Sequence, residues 1–128
     1  MKIYTDYTDL EQSKKLAEFL PLESADAFYV IGKGPVDIVV IYGFVTHKHL
    51  KEQIAYKRAV PCWSLAALFS MLPKIGAEEP MLRKLYYANE PKERYVCEYG
   101  LTNITSEYDN PVDACVAMIE KLHKLELL

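Results

Sequence analysis

The stretch Pro61–Pro73, PCWSLAALFSMLP, is the most continuously apolar part of the chain and carries its single tryptophan, Trp63. On a helical wheel that advances about 100° per residue, apolar side chains fall on every side, and Ser64 and Ser70 alone interrupt them. A helix that is apolar all round is typically buried, and the proline at each end limits its length. The stretch therefore predicts a central helix over residues 62–72, covered on more than one side.

Aromatic and methionine side chains in such a stretch can also line a site for a hydrophobic cofactor or a lipid. At helical spacing they more often form core, and we favour that interpretation, so that no cofactor is predicted. The stretch is too short to span a bilayer, which needs about 20 apolar residues.

The composition bounds both the fold and the class of partner. The chain has 128 residues, 51% hydrophobic and 26% charged, a balance that suits one soluble domain with one core. A net charge of -3 argues against a general nucleic-acid binder, because such proteins neutralise phosphates with basic residues. The sequence shows neither a signal-peptide pattern at the N-terminus nor a transmembrane run, so we expect a cytoplasmic protein without a membrane partner.

Helices are predicted near both ends of the chain. Thr8–Glu11, TDLE, matches a capping box with the threonine as N-cap, and the helix is expected to continue to about Leu20. Towards the C-terminus, Asn110 suits the N-cap and Pro111 the first helical position, which predicts a helix to about Leu125.

Two groups of strands are predicted between these helices. Ala27–Ile31 and Val36–Tyr42 flank a Gly-Lys-Gly-Pro turn and predict a hairpin. Lys84–Ala88, Glu93–Tyr99 and Asn103–Tyr108 predict an antiparallel meander.

The whole pattern predicts one α+β domain over residues 1–128. Its antiparallel sheet is expected to be packed by the N-terminal, central and C-terminal helices. Val45–Ala59 predicts a further, solvent-facing helix, and no internal repeat or linker indicates a second domain.

No catalytic or metal-binding pattern emerges from the reactive side chains. His47 and His49 form an H-x-H pair without an evident third ligand, so we interpret them as exposed loop residues. His123 falls near a helix C-terminus, where the helix dipole favours a histidine. Three cysteines, widely separated in apolar sequence, are expected to be reduced core thiols: Cys62, Cys97 and Cys115.

Ten tyrosines are unusual for this length, and half of them fall in the second group of strands. These five are the candidate binding residues: Tyr86, Tyr87, Tyr95, Tyr99 and Tyr108. They could pack a sheet face with hydroxyls at its rim, form a protein-binding face, or stack the bases of a single-stranded nucleic acid. The basic residues Lys84, Lys92 and Arg94 lie nearby, but so do acidic residues, which favour the protein-binding interpretation: Glu90, Glu93, Glu98 and Glu107.

Three blocks of the sequence carry a resemblance: EQSKKLAEFLPLESADAFYV, PCWSLAALFSMLP and NPVDACVAMIEKLHKL. In these blocks the chain resembles a family of small uncharacterised proteins found on the genomes, phages and mobile elements of gut anaerobic bacteria. The resemblance implies a cytoplasmic bacterial or phage accessory protein and supplies no catalytic residues.

The sequence thus favours a non-enzymatic accessory protein that binds a protein partner or a second copy of itself through exposed tyrosines. Single-stranded nucleic-acid binding is the alternative, and it requires lysines and arginines to cluster beside the tyrosines. A small enzyme with a Cys–His pair is a third hypothesis, and it requires a partly exposed cysteine beside a histidine.

Overall fold

The computed structural model describes residues 6–31, 37–41, 59–89, 92–100, 103–105 and 107–128, with the backbone alone for residues 31, 37–41, 103 and 104. In these residues, three α-helices and two small antiparallel sheets confirm the predicted α+β class. None of these helices is long and apolar enough to cross a membrane. The chain divides into two compact units, Met1–Ala67 and Leu68–Leu128, and the single domain stays a prediction.

The first unit contains a sheet with the strand order β2–β1–β3. Its strands are β1 (Ala27–Ile31), β2 (Asp37–Ile41) and β3 (Ala59–Cys62). The predicted hairpin is confirmed, because β1 and β2 pair antiparallel from Ala27 opposite Ile41 to Ile31 opposite Asp37. Its turn, residues 32–35, and residues 45–58 of the predicted solvent-facing helix lie outside the described part of the chain.

The first helix, α1 (Leu10–Leu16), begins one residue later than the sequence pattern predicted. Asp9 is the N-cap in place of Thr8: its Oδ1 accepts the Gln12 N–H at 2.8 Å, and Gln12 Oε1 accepts the Asp9 N–H at 2.9 Å. After α1 the chain continues to Leu20 in tighter turns, so the α-helix is shorter than predicted.

Thr8 is fully buried and joins the start of α1 to the residue that follows β3. Its N–H donates to the Trp63 carbonyl oxygen at 2.9 Å, and its Oγ1 accepts the Trp63 N–H at 3.1 Å. Ser13 Oγ lies 2.8 Å from the same hydroxyl, and the Tyr29 hydroxyl donates to the Thr8 carbonyl oxygen at 2.6 Å. Buried polar groups are costly to leave without a partner, so Thr8 is held by these contacts and does not cap the helix.

The central helix predicted over residues 62–72 is confirmed only over residues 65–71, and the expectation that it is buried on more than one side is wrong. Pro61 and Cys62 belong to β3, where Pro61 lies opposite Phe28. A proline, which lacks an N–H, is tolerated there because β3 is an outer strand of the described sheet. The second helix, α2, spans Leu65–Met71, and Leu68 is its one buried residue.

Ser64 sets the start of α2, a signal that the sequence interpretation missed. Its hydroxyl accepts the Ala67 N–H at 3.2 Å, as an N-cap serine does. The same hydroxyl donates to the Asp26 carboxylate, which also accepts the Ser64 N–H at 2.9 Å. The Trp63 indole N–H donates to Ser24 Oγ at 2.9 Å. Trp63 and Ser64 are therefore tied to the chain before β1.

The second unit contains a sheet with the order β4–β5–β6, which confirms the predicted antiparallel meander. Its strands are β4 (Pro80–Leu85), β5 (Arg94–Tyr99) and β6 (Asn103–Ile104). β4 begins and ends earlier than the predicted Lys84–Ala88. Its pairing with β5 ends at Leu85, which lies opposite Arg94, the first residue of β5. β6 is shorter than the predicted Asn103–Tyr108.

The last helix, α3 (Pro111–Lys124), confirms its prediction. The Asn110 side chain caps it by accepting the Val112 N–H at 2.7 Å. α3 packs against β5. Half of its residues are buried: Val112, Ala114, Cys115, Val116, Met118, Ile119 and Leu122.

Replacing Thr8 with valine should destabilise the protein. The substitution keeps the side-chain shape but leaves the buried backbone N–H of Trp63 without its acceptor, which costs about 1–3 kcal/mol. Urea unfolding followed by the fluorescence of Trp63 measures this free energy. Thr8→Ser, which keeps the hydroxyl, should lose less, and a Thr8→Val protein as stable as the parent would contradict the role of the hydroxyl.

Candidate functional site

The five candidate tyrosines divide into one core residue and four that reach the surface. Tyr99 is fully buried, and its hydroxyl donates to a backbone carbonyl oxygen. Tyr95 and Tyr108 are half-buried and pair through two backbone hydrogen bonds of 2.7 and 2.9 Å. Tyr86 and Tyr87, directly after β4, are 75% and 43% exposed. We call Tyr86, Tyr87, Tyr95 and Tyr108 the tyrosine surface.

Lys84 links two residues of the tyrosine surface. It lies directly opposite Tyr95 in the β4–β5 pair, so their side chains share a face. Its Nζ lies 5.3 Å from the ring centroid of Tyr86 and 5.9 Å from that of Tyr95, within cation–π range. The same ammonium lies 2.7 Å from Glu93 Oε1, and the Tyr95 hydroxyl donates to Glu93 Oε2 at 2.8 Å. One ion pair thus sits between two aromatic rings.

The contacts in this cluster keep Lys84 and Glu93 ionised, and their opposite charges cancel. The hydrogen bond to Glu93 raises the pKa of Lys84, and the hydrogen bond from Lys84 lowers the pKa of Glu93. The hydrogen bond to Glu93 also raises the pKa of Tyr95, so its hydroxyl stays protonated at neutral pH. Exposed ion pairs contribute little to stability, and the effect here is to cancel the lysine charge and orient the rings.

Tyr87 lines an open groove of about 360 Å³ together with Ala88, Asn89, Arg94 and Glu107. The Tyr87 hydroxyl donates to the Glu107 carboxylate. Arg94 belongs to β5, so the strand pairing brings its side chain beside the residues that follow β4. The groove offers an aromatic ring, an amide, a cation and an anion to a ligand.

Most of the described cations around the tyrosine surface lie against carboxylates. Three of them form ion pairs: Arg83 with Glu98 at 3.2 Å, Lys84 with Glu93 at 2.7 Å and Arg94 with Asp109 at 2.7 Å. A protein binds phosphates through lysines and arginines that are not already neutralised by carboxylates of the same chain. The described charges therefore favour a neutral or mixed-charge ligand over a nucleic acid.

All three thiols are buried. Burial raises the pKa of Cys62 to about 12, with a further contribution from the Asp26 carboxylate, so this thiol is protonated at neutral pH. Cys97 on β5 and Cys115 on α3 hydrogen-bond to each other in the core, which raises the pKa of Cys115. The same hydrogen bond lowers the pKa of Cys97. Nucleophilic cysteines are typically accessible thiolates, whereas all three of these thiols are buried.

The histidines add no site within the described residues. His123 is exposed near the end of α3, whereas His47 and His49 fall outside those residues. Among the side chains that the structure describes, no three His, Cys, Asp or Glu are placed to share a metal ion.

The sequence interpretation missed the carboxylates that hold the tyrosine surface in place. In the sequence Glu93 and Glu107 count only as charges that oppose nucleic acid, whereas in the structure they accept hydrogen bonds from Tyr95 and Tyr87. The alternation of β5 indicated that residues 93 and 95 share a face. Predicting the Tyr87–Glu107 contact would have required the strand register.

Comparison with protein-family models, curated proteins and solved structures gives no significant match for this chain.

Raising the pH should destabilise the protein through Cys62. Its thiol ionises near its ordinary value of 9.0 when unfolded and at about 12 when folded. Below pH 9 the thiol is protonated in both the folded and the unfolded state, so its full contribution to the free energy of unfolding is present. Above pH 9 the unfolded state loses the proton first, and the free energy of unfolding therefore falls until the folded state also loses it, at about pH 12. Urea unfolding at a series of pH values measures this decline.

The Cys62→Ala variant is the control, because it lacks this thiol and should lose stability less steeply over the same pH range. Equal slopes for the variant and the parent would contradict the raised pKa.

Proposed function

We propose that this protein is a non-enzymatic interaction module that binds a protein partner through the tyrosine surface. The observation that carries the proposal is the exposure of Tyr86 and Tyr87, two consecutive residues after β4, with Lys84 in cation–π range of the rings of both Tyr86 and the half-buried Tyr95. Tyrosine is enriched in protein interfaces because its ring buries a large apolar area while its hydroxyl makes a hydrogen bond.

The surroundings of these rings support a binding role. Lys84 and Glu93 hold Tyr86 and Tyr95 in a defined arrangement, and Glu107 holds the Tyr87 hydroxyl. A side chain that is already ordered loses less conformational entropy when a partner binds it. The groove beside Tyr87 can accept a side chain of the partner.

Ion pairing around the surface supports a protein partner over a single-stranded nucleic acid. Base stacking on tyrosine contributes to nucleic-acid affinity, but the backbone also needs a positively charged track. Arg83, Lys84 and Arg94 each lie against a carboxylate. We further propose, from the sequence resemblance, that the partner is met in the cytoplasm of a bacterium that carries the gene on its genome, a phage or a mobile element.

Changing both exposed tyrosines to serine should weaken partner binding without unfolding the protein, since neither ring belongs to the core. The immobilised chain is used to capture proteins from nuclease-treated lysate of its native cells, and the captured protein is purified and titrated by calorimetry. Loss of interface hot spots should raise the dissociation constant at least about tenfold for Tyr86→Ser/Tyr87→Ser.

The matched control is Lys14→Ser/Lys15→Ser, which changes two neighbouring exposed residues on α1 in the other unit. It should bind as the parent does. Equal affinity of both double variants for the captured protein would overturn the proposal. So would tight binding of a fluorescent single-stranded oligonucleotide that the tyrosine substitutions abolish.

A further inference from the structure

β4 is an outer strand of its sheet and is less buried than β5. In the order β4–β5–β6 it has β5 on one side and no described strand on the other. None of its six residues is buried, and Met81 is 56% exposed. By contrast, four consecutive residues of β5 are buried. Strand edges of this kind are templates for pairing with another chain.

The hydrogen bonds of β5 show which backbone groups of β4 face outward. Cys97 accepts the Thr105 N–H at 2.9 Å, and Tyr95 exchanges two bonds with Tyr108, so both residues direct their backbone groups away from β4. Because the two groups of a residue point to one side and alternate along a strand, Arg94, Val96 and Glu98 are the residues that face β4.

The same alternation applies to β4. The residues opposite Arg94, Val96 and Glu98 are Leu85, Arg83 and Met81, which therefore use their backbone groups within the sheet. Leu82 and Lys84 consequently direct N–H and C=O to the outer edge, and Pro80 directs its C=O there. Nothing in the described part of the chain hydrogen-bonds to these outward groups.

We propose that β4 pairs antiparallel with β4 of a second copy of this chain, about a two-fold axis at Leu82. Each Leu82 N–H donates to the carbonyl oxygen of the partner's Leu82, and each Lys84 N–H donates to the carbonyl oxygen of the partner's Pro80. The β4–β5–β6 sheets of the two copies then become one continuous sheet. This interface uses backbone groups of β4 and the backbone of none of the four tyrosines.

Charge and side-chain pairing select a second copy and this register. An axis at Arg83 would place two guanidinium groups directly opposite each other, which is destabilising. An axis at Leu82 places Met81 opposite the partner's Arg83, whose aliphatic stem can cover the exposed methionine. Arg83 and Lys84 are each paired with a carboxylate of their own unit, so the two edges meet without bare like charges.

Pro80 also fits this arrangement. It has no N–H to donate, so in the register about Leu82 it accepts from the partner's Lys84 N–H, and the partner's Lys84 carbonyl oxygen at the end of the strand is left to water. Proline is tolerated on outer strands and blunts them against indiscriminate pairing. The proline therefore limits β4 to partner strands that can pair without an N–H donor at residue 80.

The test is the molar mass of the full chain in solution, measured by light scattering over a concentration series. The parent should approach twice the chain mass of 14.7 kDa. Leu82→Pro removes the outward N–H and leaves the bonds to β5, whereas Leu82→Ala shortens the same side chain and keeps the N–H. Loss of two hydrogen bonds should raise the dimer dissociation constant about tenfold or more for Leu82→Pro relative to Leu82→Ala.

A parent that stays monomeric at all concentrations overturns the proposal, and so does a Leu82→Pro dimer as tight as that of Leu82→Ala. A dimer abolished by Tyr86→Ser/Tyr87→Ser but not by Leu82→Pro would assign self-association to the tyrosine surface. The failure of this proposal therefore leaves the proposed function separately testable.

Hydrogen exchange on the parent protein decides the question if Leu82→Pro fails to fold. The Leu82 and Lys84 amides should gain protection as concentration rises, whereas the Met81 and Arg83 amides should be protected at every concentration. A doubled mass without added protection at Leu82 and Lys84 would overturn the pairing.

Discussion

The reciprocal hydrogen bonds between Thr8 and Trp63 are the contact on which the first unit depends. They connect the start of α1 to the chain that leaves β3, across 55 positions of sequence. Tyr29 of β1 and Ser13 of α1 complete the same buried group of contacts. Because each polar group there lacks access to water, removing one partner leaves another unsatisfied, and the helix and the sheet are held together by that requirement.

In the second unit, the strand register decides which tyrosines belong to the core and which face solvent. Tyr99 lies at the end of β5 that is buried, while Tyr86 and Tyr87 follow the last residue pair of β4. The carboxylates Glu93 and Glu107 then hold the hydroxyls of the half-buried Tyr95 and the exposed Tyr87, which restricts the rotamers of both rings. The second unit thus presents hydrogen-bonded aromatic side chains at its surface, which supports the proposed binding role.

Elements with local signals could be predicted from the sequence, whereas those decided by distant partners could not. The cap of α3 lies in Asn110 and Pro111, next to the helix it starts, and the prediction was confirmed. Thr8 matched a cap locally but is occupied by Trp63, so α1 begins with Asp9. For the candidate site, the sequence indicated the tyrosine-rich region but not the burial of Tyr99, because that depends on the packing of β5.

A buried, hydrogen-bonded core around Thr8 and Trp63 coexists with an exposed segment after β4. Native-state hydrogen exchange resolved by residue tests it most directly. The amides of Thr8 and Trp63 should exchange only through global unfolding, with an opening free energy equal to that from urea unfolding, while the Tyr86 amide exchanges much faster. Exchange of the Thr8 and Trp63 amides as fast as that of Tyr86 would contradict the account.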